Sequence, residues 1–535
     1  MDIRLFDFIH EQMPRFNRVI CDGLAVEHLK VVEEYVDMLL RSAQASFPKG
    51  LVYQGYARCT PWEQYMMGTR MRASKRLYEI SRSDVYMVKF LFSYDGKDIR
   101  PMPLYLPYVT DGGIIRIRGA TYSISPILAD QMISDGVDSL FVKLYKDKIT
   151  FNRSVYGYAI NGERTQSDLI ISNIHHNARK KTKKRIQGFD ATPPHYLFAK
   201  YGVTAAFKEF ANAHIHIGYE SDINTEKFPA ETWSICTTLG QRPRGIKDRE
   251  YFPTALRLAI KKDDYNHMTA IMISSFFYIV DHFPAQVDSA SVDDVNTWLL
   301  FLGYNATELE ISPGKILTSM RMHMDSLDQY IDILSRKDLE EIGINVKDIY
   351  QLFAFVIKTM SARIASVGST IASMYDKKLT ILYYLLQDIN NAITKMHFSL
   401  KKKTKGDDSR LLTEKDIVEK YVSAEIIFKI SGPDHKEVSV VSSATGNKIF
   451  RITTNMRLQS EVVSGKNEDS TSIDDPMGFL HTSQAEVASF SNLSRTSLTG
   501  RNSLNMFANI DSSGLVKRNP KFIKLLDDIQ ENIKR

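Results

Sequence analysis

The chain has 535 residues, is 43% hydrophobic and 25% charged, and carries a formal net charge of +6 with three cysteines. That is ordinary globular composition for roughly two to four domains. It excludes a helical membrane protein, since no stretch reaches about 18 uninterrupted apolar residues, and a disulfide or zinc-knuckle scaffold, since Cys21, Cys59 and Cys236 lie far apart and form no CxxC pair.

In chain order, the N-terminal MDIRLFDF has no apolar signal-peptide core, so the protein is expected to stay where it is made. The odd cysteine count suits a reducing cytoplasm. Residues 24–46 predict an amphipathic helix, with Leu29, Val32, Val36 and Leu39 at spacings of three and four. Residues 84–118 predict strands. VYMVKFLFSY meets the hairpin dipeptide Asp95-Gly96, a second strand follows through MPLYLPYV, and GGIIRIRG alternates Ile115 and Ile117 with Arg116 and Arg118. LFVKLYKDKITFNR predicts another hairpin, turning at Lys146-Asp147. From about 250 to 425 the periodicity is helical, over 255–262, 268–282, 326–336, 346–366, 377–399 and 411–423. The apolar run Met268 to Val280 is too short to cross a membrane and reads as a buried helix. Strands return with EIIFKI and EVSVV around Ser431-Gly432-Pro433-Asp434. A solvated loop is expected over 457–482 and a short helix over 521–534. The expected class is mixed α+β and multidomain, with a helical body inserted in a discontinuous β-containing domain.

The chemistry-bearing residues point away from a self-contained enzyme. There is no P-loop, no dinucleotide-binding glycine fingerprint and no Ser-His-Asp order. His214 and His216 flank Ile215 and would share one face of a strand, but no third ligand stands nearby; His175 and His176 are adjacent and would point apart. The acidic pairs Asp263-Asp264, Asp293-Asp294, Asp407-Asp408 and Asp474-Asp475 lack the alternating carboxylates that seat two Mg²⁺ ions, and read as caps and loops. Two basic runs, 179–185 and 401–405, suit either a phosphate backbone or a solvated loop. The tail 483–521 mixes hydroxyls and amides with Arg495, Arg501, Lys517, Arg518 and Lys521, a pattern for contacts to phosphates and bases or equally for a disordered tail.

Four stretches, taken in order, resemble landmarks of the β subunits of multisubunit DNA-dependent RNA polymerases. LPYVTDGGIIRIRGATYSI (106–124) is similar to the signature P-L-M-T-x-x-G-x-F-x-I-N-G-x-E-x-V through Gly113, Ile117 and Gly119, with Arg118 where the family has Asn and Thr121 where it has Glu. YDKKLTILYYLLQDI (375–389) resembles the G-N-K-R-L…G-x-L-L helix through Lys377, Lys378, Leu379, Leu385 and Leu386. SSATGN (442–447) resembles the S-L-A-T-G-N turn of eukaryotic-type β-like subunits. SQAEVASFSNLSRTSLTGRNSL (483–504) resembles the fork segment through Ser483, Gln484, Leu493, Ser494, Arg501 and Ser503; Ala488 and Leu498 replace polar members. The chain ends soon afterwards, as in the split β subunits of giant bacteriophages, where a second polypeptide supplies the remainder.

The resemblance implies a protrusion built from residues 1–125 and 371–480, a lobe from 126–370 and a fork segment from 481–535. It implies no catalytic residue and no cofactor in this chain, with Mg²⁺ held by a β′-like partner. It implies nucleic-acid contacts by Arg495, Arg501, Ser503, Lys517, Arg518, Lys377 and Lys378. The partners would be β C-terminal-like and β′-like polypeptides, the DNA template and the RNA transcript, with no membrane. The setting would be the host cytoplasm during infection, the phage nucleus included, or the virion. The rival readings are a virion structural protein and a stand-alone nucleic-acid-binding regulator.

Overall fold

The computed structural model describes residues 24–380, apart from short stretches and residues 71–81, 175–189, 241–252 and 366–372; beyond these it describes 438–440, 457–460, 483, 487, 501–503, 508–511, 514–520 and 524. The chain mixes helices and strands and divides into two units, one of Met1–Gln131 with Ser369–Arg535 and one of Met132–Gly368.

In the first unit, helix α1 (Leu24–Ala43) buries Val32, Tyr35, Val36, Leu39 and Leu40, the face its spacing predicts. It packs on strand β1 (Leu51–Arg58), where Asp37 accepts a 2.7 Å hydrogen bond from the Tyr53 hydroxyl and Glu33 pairs with Arg58 at 3.0 Å. Helix α2 (Pro61–Arg70) follows. Strand β2 (Val85–Tyr94) pairs antiparallel with β1. It turns at Asp95 and Gly96, both at positive φ (47° and 76°), into the short β3 (Lys97–Asp98). Two consecutive positive-φ residues are what a two-residue hairpin requires, and Asp-Gly supplies them. Strand β4 (Met102–Pro107) returns along β2, and β5 (Ile114–Ile117) with β6 (Ala120–Ile124) makes a hairpin in which Ile115 is buried and Arg116 exposed. Gly119, one of the landmark glycines, sits in that turn at φ +81°; a Cβ there would lie 2.9 Å from the Arg82 guanidinium.

The second unit is built on a seven-stranded sheet. Its strands are β8 (Ile133–Asp135), β9 (Ser139–Lys143), β10 (Lys148–Ile160), β11 (Glu163–Ser172), β12 (Ile215–Gly218), β13 (Trp233–Thr238) and β14 (Arg257–Lys261), in the order β12-β14-β13-β10-β9-β8 with β11 along β10. The expected hairpin around Lys146-Asp147 is present as β9 paired with β10, Lys143 opposite Lys148. The helices of this unit are α3 (Pro193–Tyr201), α4 (Val203–Ala211), α5 (His267–His282), α6 (Val295–Ala306), α7 (Pro313–Leu327), α8 (Ile333–Glu341) and α9 (Ile349–Ala365); α3, α4, α5 and α9 contact the sheet, while α6 packs on α3 and α7 on α6. Helix α5 is buried along almost its whole length, as a helix apolar on every side must be. Its start is fixed by Asn266 and Thr269, whose side chains each bond the other's backbone N–H. Trp298, Tyr158, Tyr196, Phe151, Phe198, Phe207, Tyr350 and Phe353 fill the core.

Four local expectations give way. Residues 255–262 contain the strand β14 rather than a helix: a five-residue strand between β12 and β13 is covered on both faces, so its apolar run carries no period-two signature. The stretch 326–336 is not one helix, because Asp332 accepts the Ser335 N–H at 2.9 Å and starts α8 as its cap. The loop expected over 457–482 begins with a strand, β17 (Arg457–Ser460). The helix expected over 377–399 starts instead as a strand, β15 (Lys377–Thr380), which is hydrogen-bonded to the strand Ile127–Asp130, remote in the chain; the rest of that segment, the helix over 411–423, the strand EIIFKI, the turn SSATGN and most of the C-terminal helix lie outside the described residues.

Candidate nucleic-acid interface

A second sheet of the first unit gathers the sequence landmarks. Strand β15 (Lys377–Thr380) runs antiparallel to β7 (Ile127–Asp130), Lys377 opposite Asp130 and Lys378 opposite Ala129. The parallel neighbour on the far side of β7 is β17, joined through Gln459 opposite Ile127. Beyond it runs β18 (Arg501–Ser503), with Arg501 opposite Gln459 and Ser503 opposite Arg457. The order β15-β7-β17-β18 thus brings the lysine pair of 375–389 and the Arg501–Ser503 stretch of the fork-like segment onto one sheet.

The other edge of β15 is covered by the chain that follows β18. Lys378 forms an antiparallel bridge with Leu515, the Leu379 N–H donates to the Gly514 carbonyl at 2.7 Å, and the Val516 N–H donates to the Lys377 carbonyl. Residues 509–517 make their own tight turn. The Asp511 N–H donates to the Leu515 carbonyl at 3.1 Å, the Asp511 carboxylate accepts the Leu515 N–H at 2.9 Å, and the Lys517 N–H donates to the Asn509 carbonyl. Hydrogen-bonded on both sides, β15 is an interior strand, and Lys377 and Lys378 are only 8% and 9% exposed. Being adjacent on a strand, the two lysines leave by opposite faces.

Lys517 and Arg518 follow the turn and are exposed. The Lys517 ammonium is 3.5 Å from the Asp511 carboxylate. The Arg518 guanidinium lies 4.9 Å from the centre of the Tyr375 ring, a cation–π arrangement that leaves its outer N–H groups toward solvent. The segment leading into β15 is itself anchored. The Met374 N–H donates to the buried Ser483 hydroxyl at 2.8 Å, and Gln131 bonds the carbonyls of Tyr375 and Asp376 at 3.0 Å each. Ser483 is the first residue of the fork-like motif, so the start of that motif touches the segment leading into β15, while its end, β18, lies on the same sheet beyond β7 and β17.

Of the seven predicted contact residues, Lys377, Lys378, Arg501, Ser503, Lys517 and Arg518 therefore share this sheet and its flanking turn, while Arg495 lies outside the described residues. Tyr375, Asp511 and Gly514 were not singled out in the sequence. The spacing Asp511-x-x-Gly514 is a turn signal that would have found two of them.

The other candidates resolve as structure. His216 stacks among Phe228 and Trp233 at 5.3 and 5.6 Å, and the His214 backbone N–H bonds Asp264. Asp293 accepts the Thr204 N–H at 2.8 Å, and Asp294 accepts the Asn296 N–H and the Thr297 hydroxyl at the start of α6. Among the described residues no group of three or more His, Cys, Asp or Glu is placed to hold a metal ion. His175, His176, Asp407-Asp408, Asp474-Asp475 and both basic runs lie outside the described residues. No helix among the described residues is long and apolar enough to cross a membrane.

The family model described as non-virion RNA polymerase subunit matches residues 5–531. No curated protein matches the chain.

Proposed function

The chain belongs to the family of non-virion RNA polymerase subunits, and from that premise we propose that it is the N-terminal half of a split β-like subunit of a phage multisubunit DNA-directed RNA polymerase. It acts during transcription as part of a nucleotidyltransferase complex in the infected host cell. A family named for the non-virion enzyme runs against the virion location and against the virion structural reading. A subunit also needs partners, which runs against the stand-alone regulator. In this reading residues 1–125 and 371–480 are protrusion-like, 126–370 lobe-like and 481–535 fork-like. The partners are β C-terminal-like and β′-like polypeptides, template DNA and transcript RNA.

The observation that carries the reading is the meeting of two landmarks, far apart in sequence, on one sheet: Lys377-Lys378 on β15, and Arg501 with Ser503 on β18. The exposed Lys517 and Arg518 stand beside them. The role of the exposed Lys517 and Arg518 is to hold phosphates without reading bases, since a polymerase that elongates on any template must be sequence-tolerant; Lys377 and Lys378, sequence candidates for the same role, are too buried to share it in this fold. Arg495 and Arg501 are assigned the transcript or hybrid side. In this reading the two-metal chemistry belongs to the β′-like partner.

The test is a salt series on the reconstituted polymerase with Lys517→Ala, Arg518→Ala and Arg501→Ala. Each phosphate contact removed is expected to lower the slope of log affinity against log salt by about 1 and to weaken template binding alike for all sequences. Arg501→Ala is also expected to shorten elongation-complex lifetime. Unchanged affinity, salt slope and transcript length in all three variants would overturn the reading.

A further inference from the structure

Tyr375 and Arg518 meet from far apart in the sequence, and each is held by its own set of hydrogen bonds. On the tyrosine side, Met374–Asp376 forms one turn of 3-10 helix just before β15. The Ser373 hydroxyl accepts the Tyr375 N–H at 3.3 Å, the Gln131 side-chain amide donates to the Tyr375 carbonyl at 3.0 Å, and the Met374 N–H donates to the Ser483 hydroxyl at 2.8 Å. On the arginine side, Asn509 holds two consecutive residues. Its carbonyl accepts the Lys517 N–H at 2.8 Å, and its side-chain amide donates to the Arg518 carbonyl at 3.2 Å. The backbone beneath both partners of the cation–π contact is therefore set before anything binds.

The consequence falls on the Arg518 side chain. An exposed arginine samples many rotamers, and ordering it on a ligand costs free energy. Here the guanidinium sits over the Tyr375 ring, 4.9 Å from its centre, while the residue stays exposed. The ring attracts the cation through its π face and takes up none of the N–H donors in its plane. A carboxylate holder acts differently, because it competes with phosphate for the same donors. Lys517 is in that position, its ammonium 3.5 Å from the Asp511 carboxylate.

We propose that Tyr375 is the positioning residue of this interface: its ring holds the Arg518 guanidinium in the place from which the planar donor fork meets a nucleic-acid backbone phosphate. This rests on the reading of Lys517 and Arg518 as phosphate contacts. It gives the two cations unequal parts. Arg518 is already ordered with its donors available, whereas Lys517 must first leave Asp511.

The experiment uses the reconstituted polymerase, with duplex DNA and an RNA–DNA hybrid measured separately over a salt series, so that the strand supplying the phosphate is identified. Tyr375→Leu removes the ring and keeps an apolar side chain. It is expected to raise the dissociation constant about threefold on the duplex that Arg518 contacts. The slope of log affinity against log salt is expected to stay as in the wild type, because the charge remains. Tyr375→Phe, which restores the ring, is expected to recover the affinity. In an Arg518→Ala background, Tyr375→Leu is expected to cost nothing further. Hydrogen exchange at the Leu379 amide, which donates to Gly514, is expected to be unchanged, which separates lost positioning from a lost turn. A Tyr375→Phe enzyme as weak as Tyr375→Leu, an equal loss with and without Arg518, or a loss of subunit joining in place of nucleic-acid affinity would each overturn the proposal. Tyr375→Leu binding as the wild type, where Arg518→Ala lowers the salt slope by about 1, would overturn it alone and leave the phosphate reading standing. An Arg518→Ala enzyme with wild-type affinity and slope would overturn both.

Discussion

Burying a carboxyl group penalises its charged form, and Asp281 at the end of α5 shows the effect most plainly. It is fully buried, accepts from the Tyr156 hydroxyl at 2.5 Å and the Thr238 hydroxyl at 2.6 Å through one oxygen, and has no partner for the other among the described residues. Burial pushes its pKa up to about 6, and the two hydrogen bonds only partly oppose this. Because the folded-state value lies above the ordinary carboxylate value, the native state holds a proton that the unfolded chain has lost between about pH 4 and 6. Stability therefore falls as pH rises through that window, and the full penalty, about 3 kcal/mol, applies above it. Asp281→Asn removes the titration. The unfolding free energy of the variant minus that of the wild type is expected to grow by up to about 3 kcal/mol from pH 4 to pH 7. Chemical denaturation followed by tryptophan fluorescence reads this, and a gap that stays constant with pH would refute it. Nothing local in the sequence distinguishes Asp281 from a surface aspartate; its burial comes from β10 and β13, which are remote in the chain. The same limit applies to Lys377 and Lys378. Their residue types flagged them as phosphate contacts, but in the fold they are only 8% and 9% exposed, which nothing beside them in the sequence announces.

Elements whose signals were local were legible. The α1 face, the Asp95-Gly96 hairpin, the β9–β10 hairpin and the all-round apolar α5 follow from spacing and turn chemistry within a dozen or so residues. Elements defined by distant neighbours were not, which is why β14 resembled a helix and β17 a loop. The turn at 509–517 belongs to this second kind, and Gly514 is its critical point. Its φ is +87°, and a Cβ would stand 2.1 Å from the Leu379 carbonyl oxygen, a backbone atom that cannot swing aside. Gly514→Ala must therefore push the turn off β15. It is expected to destabilise by about 2 kcal/mol or more, from backbone strain and the lost edge bonds together. Hydrogen exchange gives the specific readout. The Leu379 amide, which donates to the Gly514 carbonyl, should lose protection, as should the Lys517 amide within the turn. Retained protection at both would show that the turn tolerates a side chain.

At the scale of the whole molecule, function was legible only through the order of several short motifs, since no one of them carries a complete chemical site. The family match over 5–531 supports the polymerase setting, while the division of labour within the enzyme has to be argued from what the side chains can do. Nucleotidyl transfer through two metal ions needs carboxylates that converge on one point. The acidic pairs that the structure describes do other work: Asp294 caps α6, Asp293 holds the start of α4, and Asp263 and Asp264 lie in the turn after β14. The basic residues around β15, whatever strand they are proposed to hold, carry no carboxylate with which to seat a catalytic metal. The purified chain, with contaminating polymerase excluded, is therefore expected to incorporate no nucleotide on any template at any Mg²⁺ concentration. Activity should appear only when the remaining polypeptides of the enzyme are added. Measured as labelled transcript per mole of chain, incorporation by the single polypeptide that is lost on chelation of Mg²⁺ would show that its carboxylates do converge, and would move the catalytic centre onto this subunit.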